Sequence, residues 1–92
     1  VIIIPARLAA TRLPNKPLAI IGNQPMILWV VKQALKLGIP DIYVACCDTE
    51  LAEVLAKNNC QYIMTDPDLP SGTDRVFAAL QTLKKNYQYI IN

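Results

Sequence analysis

The chain has 92 residues, of which 53% are hydrophobic and 17% are charged, and its net charge is +2. This length predicts a single domain with a small core. The longest apolar stretch, residues 25–31, is far shorter than the ~20 residues of a transmembrane helix, so we expect a cytoplasmic protein with no membrane partner.

The charges are divided unevenly along the chain. Residues 1–40 contain five basic residues and no acidic one, whereas residues 41–92 contain four basic and seven acidic residues, giving +5 and −3. A nucleic-acid-binding domain is basic overall, so this division argues against nucleic acid as a partner. It favours a local anion site in the first half, although an ordinary solvated basic surface remains an alternative.

The cysteines give no sign of a metal or disulfide framework. Cys46, Cys47 and Cys60 are odd in number, and the chain has no Cys-x-x-Cys motif and no histidine. This pattern argues against a zinc site or a set of disulfides, and it predicts small buried thiols in a reducing compartment.

The first half predicts a strand, a loop and a helix. Residues 1–4 are all Val or Ile and predict a strand covered on both faces. Residues 5–24 contain three prolines and a Gly22-Asn23 turn, and they predict a long, preorganised loop. The apolar pattern of residues 26–37 predicts a largely buried helix that ends at Gly38, with Trp29 in the core.

The second half continues the alternation. We predict a strand over residues 41–45, a helix from about 49 to 58, a strand over 61–64, a helix that follows the Ser71–Thr73 region and is broken at Asn86, and a strand over 87–92. Asp48 or Thr49 is the expected cap of the first of these helices, and Ser71 or Thr73 that of the second. The third predicted helix places four apolar residues on one face: Val76, Ala79, Leu80 and Leu83.

This β-α-β-α-β-α-β order predicts an α/β fold with a mostly parallel sheet and helices on both faces. Ligands of such sheets bind at the carboxyl ends of the strands. Three segments meet at that edge: the loop after the first strand, residues 46–49 and residues 65–74.

The loop after the first strand carries Arg7, Arg12 and Lys16 with no acidic residue among them. Guanidinium and ammonium groups bind phosphate oxygens well. The G-x-G-x-x-G and G-x-x-x-x-G-K-[ST] motifs are absent, so neither common glycine-rich phosphate loop is present. The pattern therefore predicts a polyphosphate held by side-chain cations and backbone amides.

Several segments resemble one enzyme family. Residues 3–18 (IIPARLAATRLPNKPL), 22–27 (GNQPMI), 60–65 (CQYIMT) and 71–75 (SGTDR) are similar to the opening of the 3-deoxy-manno-octulosonate (Kdo) cytidylyltransferases, or CMP-Kdo synthetases. The resemblance implies a Rossmann-like nucleotidyltransferase fold of the nucleotide-diphospho-sugar transferase type. Residues 1–92 would form its truncated, N-terminal nucleotide-binding part, a single incomplete domain.

The resemblance also implies the reaction and the cofactor. Such an enzyme joins CTP to Kdo, releases pyrophosphate in a Mg²⁺-dependent step and serves lipopolysaccharide biosynthesis. The full-length form would be a homodimer. The metal ligand is expected beyond Asn92, with none inside this chain, so we expect these 92 residues alone to be inactive.

By the same resemblance, Arg7 and Lys16 would be catalytic, and Arg75 would either contact the ligand or pair with a nearby acid. The residues implied to bind CTP are Ala6, Arg7, Thr11, Arg12, Lys16, Thr65, Ser71, Gly72 and Thr73. A helix-capping role for Thr73 is an equal alternative.

The sequence departs from the family pattern at three places. Asn15 stands where glycine is frequent, Ala10 where serine is frequent, and Cys46-Cys47 where Thr-Asp is frequent, so no polar role is carried over to that strand end. Two alternatives remain open: a cytidylyltransferase for sialic acid or an amino-Kdo sugar, and a noncatalytic nucleotide- or phosphate-binding module.

Overall fold

The computed structural model describes residues 1–8 and 16–84. In chain order, the elements are β1 (Ile2–Pro5), a 3₁₀ helix (Lys16–Leu18), β2 (Ile20–Ile21), β3 (Gln24–Pro25), α1 (Met26–Leu35), β4 (Ile42–Cys46), α2 (Thr49–Lys57), β5 (Tyr62–Met64) and α3 (Gly72–Lys84). The strand predicted over residues 87–92 lies outside the described residues.

The main sheet of the described chain is parallel, with the order β1-β4-β5. Ile4 pairs with Val44, and Cys46 pairs with Met64. The central strand β4 is buried on both faces, which explains its unbroken apolar sequence. The predicted α/β fold with a mostly parallel sheet is confirmed.

Helices cover both faces of this sheet, as predicted. On one face, α1 and α2 pack with Val44 and Cys46, and the fully buried Leu51 and Leu55 lie at the centre of that cluster. On the other face, α3 packs against Ala45 and Ile63. Each buried leucine contributes roughly 1.5–3 kcal/mol, so two thin cores stabilise this small unit.

The turn chemistry read from the sequence is largely confirmed. Gly38, at φ +76°, follows the last turn of α1, and Asp48 is the N-cap residue of α2. Asn59, at φ 58°, lies just beyond α2, in a conformation that asparagine tolerates better than most residues.

The prediction of one continuous loop over residues 5–24 was wrong in its described part. Pro5 still belongs to β1, residues 16–18 form a 3₁₀ turn, and β2 and β3 form a short antiparallel hairpin. Gly22, at φ +65°, provides the positive dihedral angle of its two-residue turn. A hairpin with two residues in each strand is too short to give an alternating pattern.

The prediction that Trp29 lies in the core was also wrong, because its side chain is 39% exposed. Its indole Nε1 donates a hydrogen bond of 2.8 Å to the carbonyl of Ile21, and Lys32 Nζ lies 5.7 Å from the ring centroid. Only Ile27, Leu28 and Val31 of α1 are buried. Thus α1 has more apolar side chains than the described residues bury.

Candidate nucleotide-binding cleft

A cleft of about 380 Å³ opens at the carboxyl end of β1. Its described walls come from three places: the residues after β1, the start of α1 with the preceding 3₁₀ helix, and the start of α3. This volume falls in the range of small-molecule sites, about 300–1,000 Å³. The position agrees with the rule that open parallel sheets bind ligands beyond their strand ends.

Arg7 reaches the cleft because the backbone on either side of it is fixed. The Ala6 amide donates to the carbonyl of Ala45 at 2.9 Å, extending the ladder between β1 and β4. The Leu8 amide donates to Asp48 Oδ2 at 2.8 Å. Arg7 therefore lies between two anchored residues and is half-buried at the cleft.

Lys16 also lines this cleft. It is the first residue of the 3₁₀ helix, and the next residue, Pro17, is buried and also lines the cleft. The side chain of Lys16 is exposed, but the burial of the next residue fixes the position of its backbone.

Arg75 is a third cation of the cleft and the deepest of them. It is 2% exposed, although it lies on the apolar stripe of α3 with Ala79. One guanidinium nitrogen, Nη1, donates to Thr65 Oγ1 and to the carbonyl of Asp66. No carboxylate among residues 1–8 and 16–84 forms an ion pair with it, so the predicted pairing with a nearby acid is not found there.

The described lining contains three cations and no acidic side chain. The start of α1 adds an apolar wall of Met26, Ile27 and Val30. The N-termini of α1 and α3 both reach the cleft, and helix N-termini carry partial positive charge. The cleft can therefore take a ligand that is anionic at one end and apolar or aromatic elsewhere.

The start of α3 shows which residue is the cap. The hydroxyl of Ser71 donates to Asp74 Oδ2 at 2.7 Å and accepts a hydrogen bond of 3.2 Å from the Asp74 amide. Ser71 is thus the cap, as one of the two predicted alternatives had it. Ser71 and Gly72 line the cleft, whereas Thr73 does not appear in its lining.

Thr65 contacts Arg75 and β4 and does not line the cleft itself. Its hydroxyl donates to the carbonyl of Cys46 at 2.9 Å and accepts a hydrogen bond from Arg75. It is absent from the described lining, so its geometry fits the holding of Arg75 more directly than contact with a ligand.

The cleft therefore brings together five of the residues implied to bind CTP, namely Ala6, Arg7, Lys16, Ser71 and Gly72, and it also includes Arg75. Thr11 and Arg12 lie outside the described residues. The apolar wall from α1 was missed by sequence reasoning, because an apolar side chain that faces a ligand looks the same in sequence as one that faces a core.

The thiols near the cleft are free in this structure. Cys46 is fully buried, and burial raises its pKa to about 11. The half-buried Cys47 also has a raised pKa, mainly through burial, while the nearby Arg75 and Arg7 act in the opposite direction. Both are therefore protonated thiols at neutral pH. The prediction of buried thiols is confirmed in full only for Cys46.

The described residues do not fit a metal site. They contain no group of three or more Cys, Asp or Glu side chains that could hold an ion. The prediction of a Mg²⁺ ligand beyond Asn92 stays a prediction. Within residues 1–8 and 16–84, none of the helices has the length and apolar character that crossing a bilayer requires.

Comparison with known proteins gives a consistent result. The family model described as cytidylyltransferase matches residues 1–92. A 3-deoxy-manno-octulosonate cytidylyltransferase of Paramagnetospirillum magneticum is 46% identical over 90% of this chain and 34% of its own length. One from Rhodopseudomonas palustris is 45% identical over 99% of this chain and 38% of its own length.

A solved structure agrees with these relatives. CMP:2-keto-3-deoxy-manno-octonic acid synthetase, complexed with CTP, superposes with a TM-score of 0.81 and 38% identity, covering 92% of this chain and 34% of that one. The chain thus spans about a third of the length of the relatives that it matches.

Proposed function

Because the chain belongs to the cytidylyltransferase family, we propose that it is the N-terminal nucleotide-binding part of an enzyme that joins CTP to Kdo. The products would be CMP-Kdo and pyrophosphate. The observation that carries the proposal is the cleft at the end of β1, where Arg7, Lys16 and Arg75 face one volume and the described lining has no acidic side chain. The names of the similar proteins support the substrate pair.

The cleft supplies binding and electrostatic stabilisation. Arg7 and Lys16 hold the triphosphate, and the apolar wall of α1 gives the rest of the nucleotide a surface on which to pack. A hydroxyl oxygen of the sugar acid attacks the α-phosphorus, and the bond from that phosphorus to the bridging oxygen breaks. Fixed cations stabilise the negative charge that develops on the departing pyrophosphate.

The remaining parts of the proposal rest on family membership. They are a Mg²⁺ requirement with ligands outside the described residues, a homodimeric full-length form, a cytoplasmic location and a role in lipopolysaccharide biosynthesis. The described residues include no group that we assign to the sugar acid, so we propose that the 92 residues alone bind CTP without turning it over.

Calorimetry with CTP tests the binding role. We expect Arg7→Ala in the complete protein to weaken CTP binding by roughly 10-fold or more, because a charge-assisted contact contributes about 1.5–3 kcal/mol. Lys57→Ala is the matched control, since it removes an equal charge from the exposed end of α2, at the opposite edge of the sheet. Equal binding by wild type and Arg7→Ala would refute the assignment.

Pyrophosphate release tests the sugar. We expect release with CTP and Kdo, and little with CTP and sialic acid. Release with sialic acid or an amino-Kdo sugar instead would favour another cytidylyltransferase. CTP binding by the complete protein without release from any of these sugars would favour a noncatalytic binding module.

A further inference from the structure

Asp48 makes a contact that its place in the fold does not require. It is the N-cap residue of α2, yet its side chain forms no hydrogen bond to the amides of that helix. N-cap aspartates usually accept such a bond. Instead, Oδ2 accepts the Leu8 amide at 2.8 Å, from a residue 40 positions earlier in the chain.

The hydrogen bond between Leu8 and Asp48 follows directly after the last backbone hydrogen bond between β1 and the end of β4. The ladder between β1 and β4 continues as far as the bond from the Ala6 amide to the carbonyl of Ala45. Beyond that point the chain turns into α2, and the carboxylate of Asp48 replaces a strand carbonyl as the next acceptor. Arg7 lies between these two bonds.

The negative charge of Asp48 cannot itself favour the binding of an anion in the cleft. A carboxylate near an anion site repels the anion, so its presence there needs another benefit. Leu8 is 8% exposed and belongs to the core cluster, so its amide has little access to water and needs a partner within the protein.

We propose that Asp48 is a positioning residue for nucleotide binding. By holding the Leu8 amide, it fixes the backbone so that Arg7 points into the cleft. This inference rests on the proposed function, because Arg7 is the group through which it acts.

Two substitutions separate positioning from helix capping. Asp48→Asn keeps an oxygen acceptor of the same reach, whereas Asp48→Ser is a good N-cap residue whose hydroxyl is too short to reach Leu8. In the complete protein we expect Asp48→Ser to weaken CTP binding about tenfold and Asp48→Asn to stay within about twofold of wild type. Asp48→Thr repeats the serine test should that variant be poorly stable.

A second readout needs no ligand. Amide hydrogen exchange at Leu8, followed by NMR, should accelerate in Asp48→Ser and stay slow in Asp48→Asn, and the melting temperature should fall only in Asp48→Ser, which leaves the Leu8 amide without its acceptor. Glu50→Ala, which removes an exposed acid from the first turn of the same helix, should change neither quantity.

The outcomes are distinguishable. If Arg7→Ala weakens CTP binding but Asp48→Ser and Asp48→Thr do not, the positioning role is overturned and the proposed function stands. If Asp48→Asn weakens binding as much as Asp48→Ser, reach is not the cause and the inference fails. If Arg7→Ala itself binds normally, the proposed function fails, and the inference fails with it.

Discussion

Replacing the buried guanidinium by a thioether, Arg75→Met, should separate ligand binding from stability. Arg75 is 2% exposed and donates two hydrogen bonds, to Thr65 Oγ1 and to the carbonyl of Asp66. Two hydrogen bonds from a charged donor stabilise the fold by roughly 3–6 kcal/mol. Burying a cation with no carboxylate partner costs several kcal/mol. These contributions nearly cancel, so the free energy of unfolding should change by at most about 2 kcal/mol.

The effect of Arg75→Met on CTP binding is not offset in this way. If the cation receives a phosphate or another anionic group, its loss removes a contact of about 1.5–3 kcal/mol, which weakens CTP binding roughly 10- to 150-fold. Calorimetry with CTP and urea denaturation, both on the complete protein, measure the two quantities separately. Lys57→Met is the control, because it removes an equal charge from an exposed position at the far end of α2.

Cys47 reports the same substitution without a ligand. Arg75 lowers the pKa of this thiol, so Arg75→Met should raise that pKa and slow alkylation at a fixed pH near 8. A variant that loses more than about 3 kcal/mol of stability and still binds CTP normally would show that Arg75 is a structural residue.

Three further predictions concern the backbone, the thiols and the core. Gly38→Ala should cost about 1 kcal/mol of stability in thermal unfolding, because φ is +76° and no neighbouring atom lies close enough to add a steric clash; an unchanged melting temperature would contradict this. Cys46 should resist alkylation in the native protein while Cys47 reacts, as followed by mass spectrometry. Since burial raises the Cys46 pKa from 9.0 to about 11, its contribution to stability is present below pH 9 and is lost as the pH rises towards 11; rapid native labelling of Cys46 would argue against its burial. Leu51→Ala should destabilise by about 2–5 kcal/mol in urea denaturation, because the side chain is fully buried, whereas Glu53→Ala at an exposed position of the same helix should be nearly neutral.

Local signals in the sequence determined the order of β1, β4, β5 and the three α-helices of the described chain, but not the 3₁₀ helix or the β2–β3 hairpin. The β-branched run of β1, the glycine after α1 and the capping residues of α2 and α3 each act over a few residues, so they can be read without tertiary contacts. The alternation of strands and helices then restricts the topology to a parallel sheet with helices on both faces. The charge pattern already singled out Arg7, Arg12 and Lys16, and the resemblance of short motifs added the family and the roles of these residues.

Tertiary structure decided which side chains meet and which remain exposed. Trp29 is a large apolar residue of the kind usually found in a core, yet its side chain is partly exposed and contacts the β2–β3 hairpin. The burial of a residue depends on what packs against its helix face and not on the face alone. Arg75 lies at a buried position of an apolar stripe, where its guanidinium donates hydrogen bonds to Thr65 Oγ1 and to the carbonyl of Asp66 that offset part of the cost of burying its charge. The bond from Leu8 to Asp48 spans 40 residues and leaves no periodic trace, because a single long-range hydrogen bond imposes no repeating pattern on the sequence.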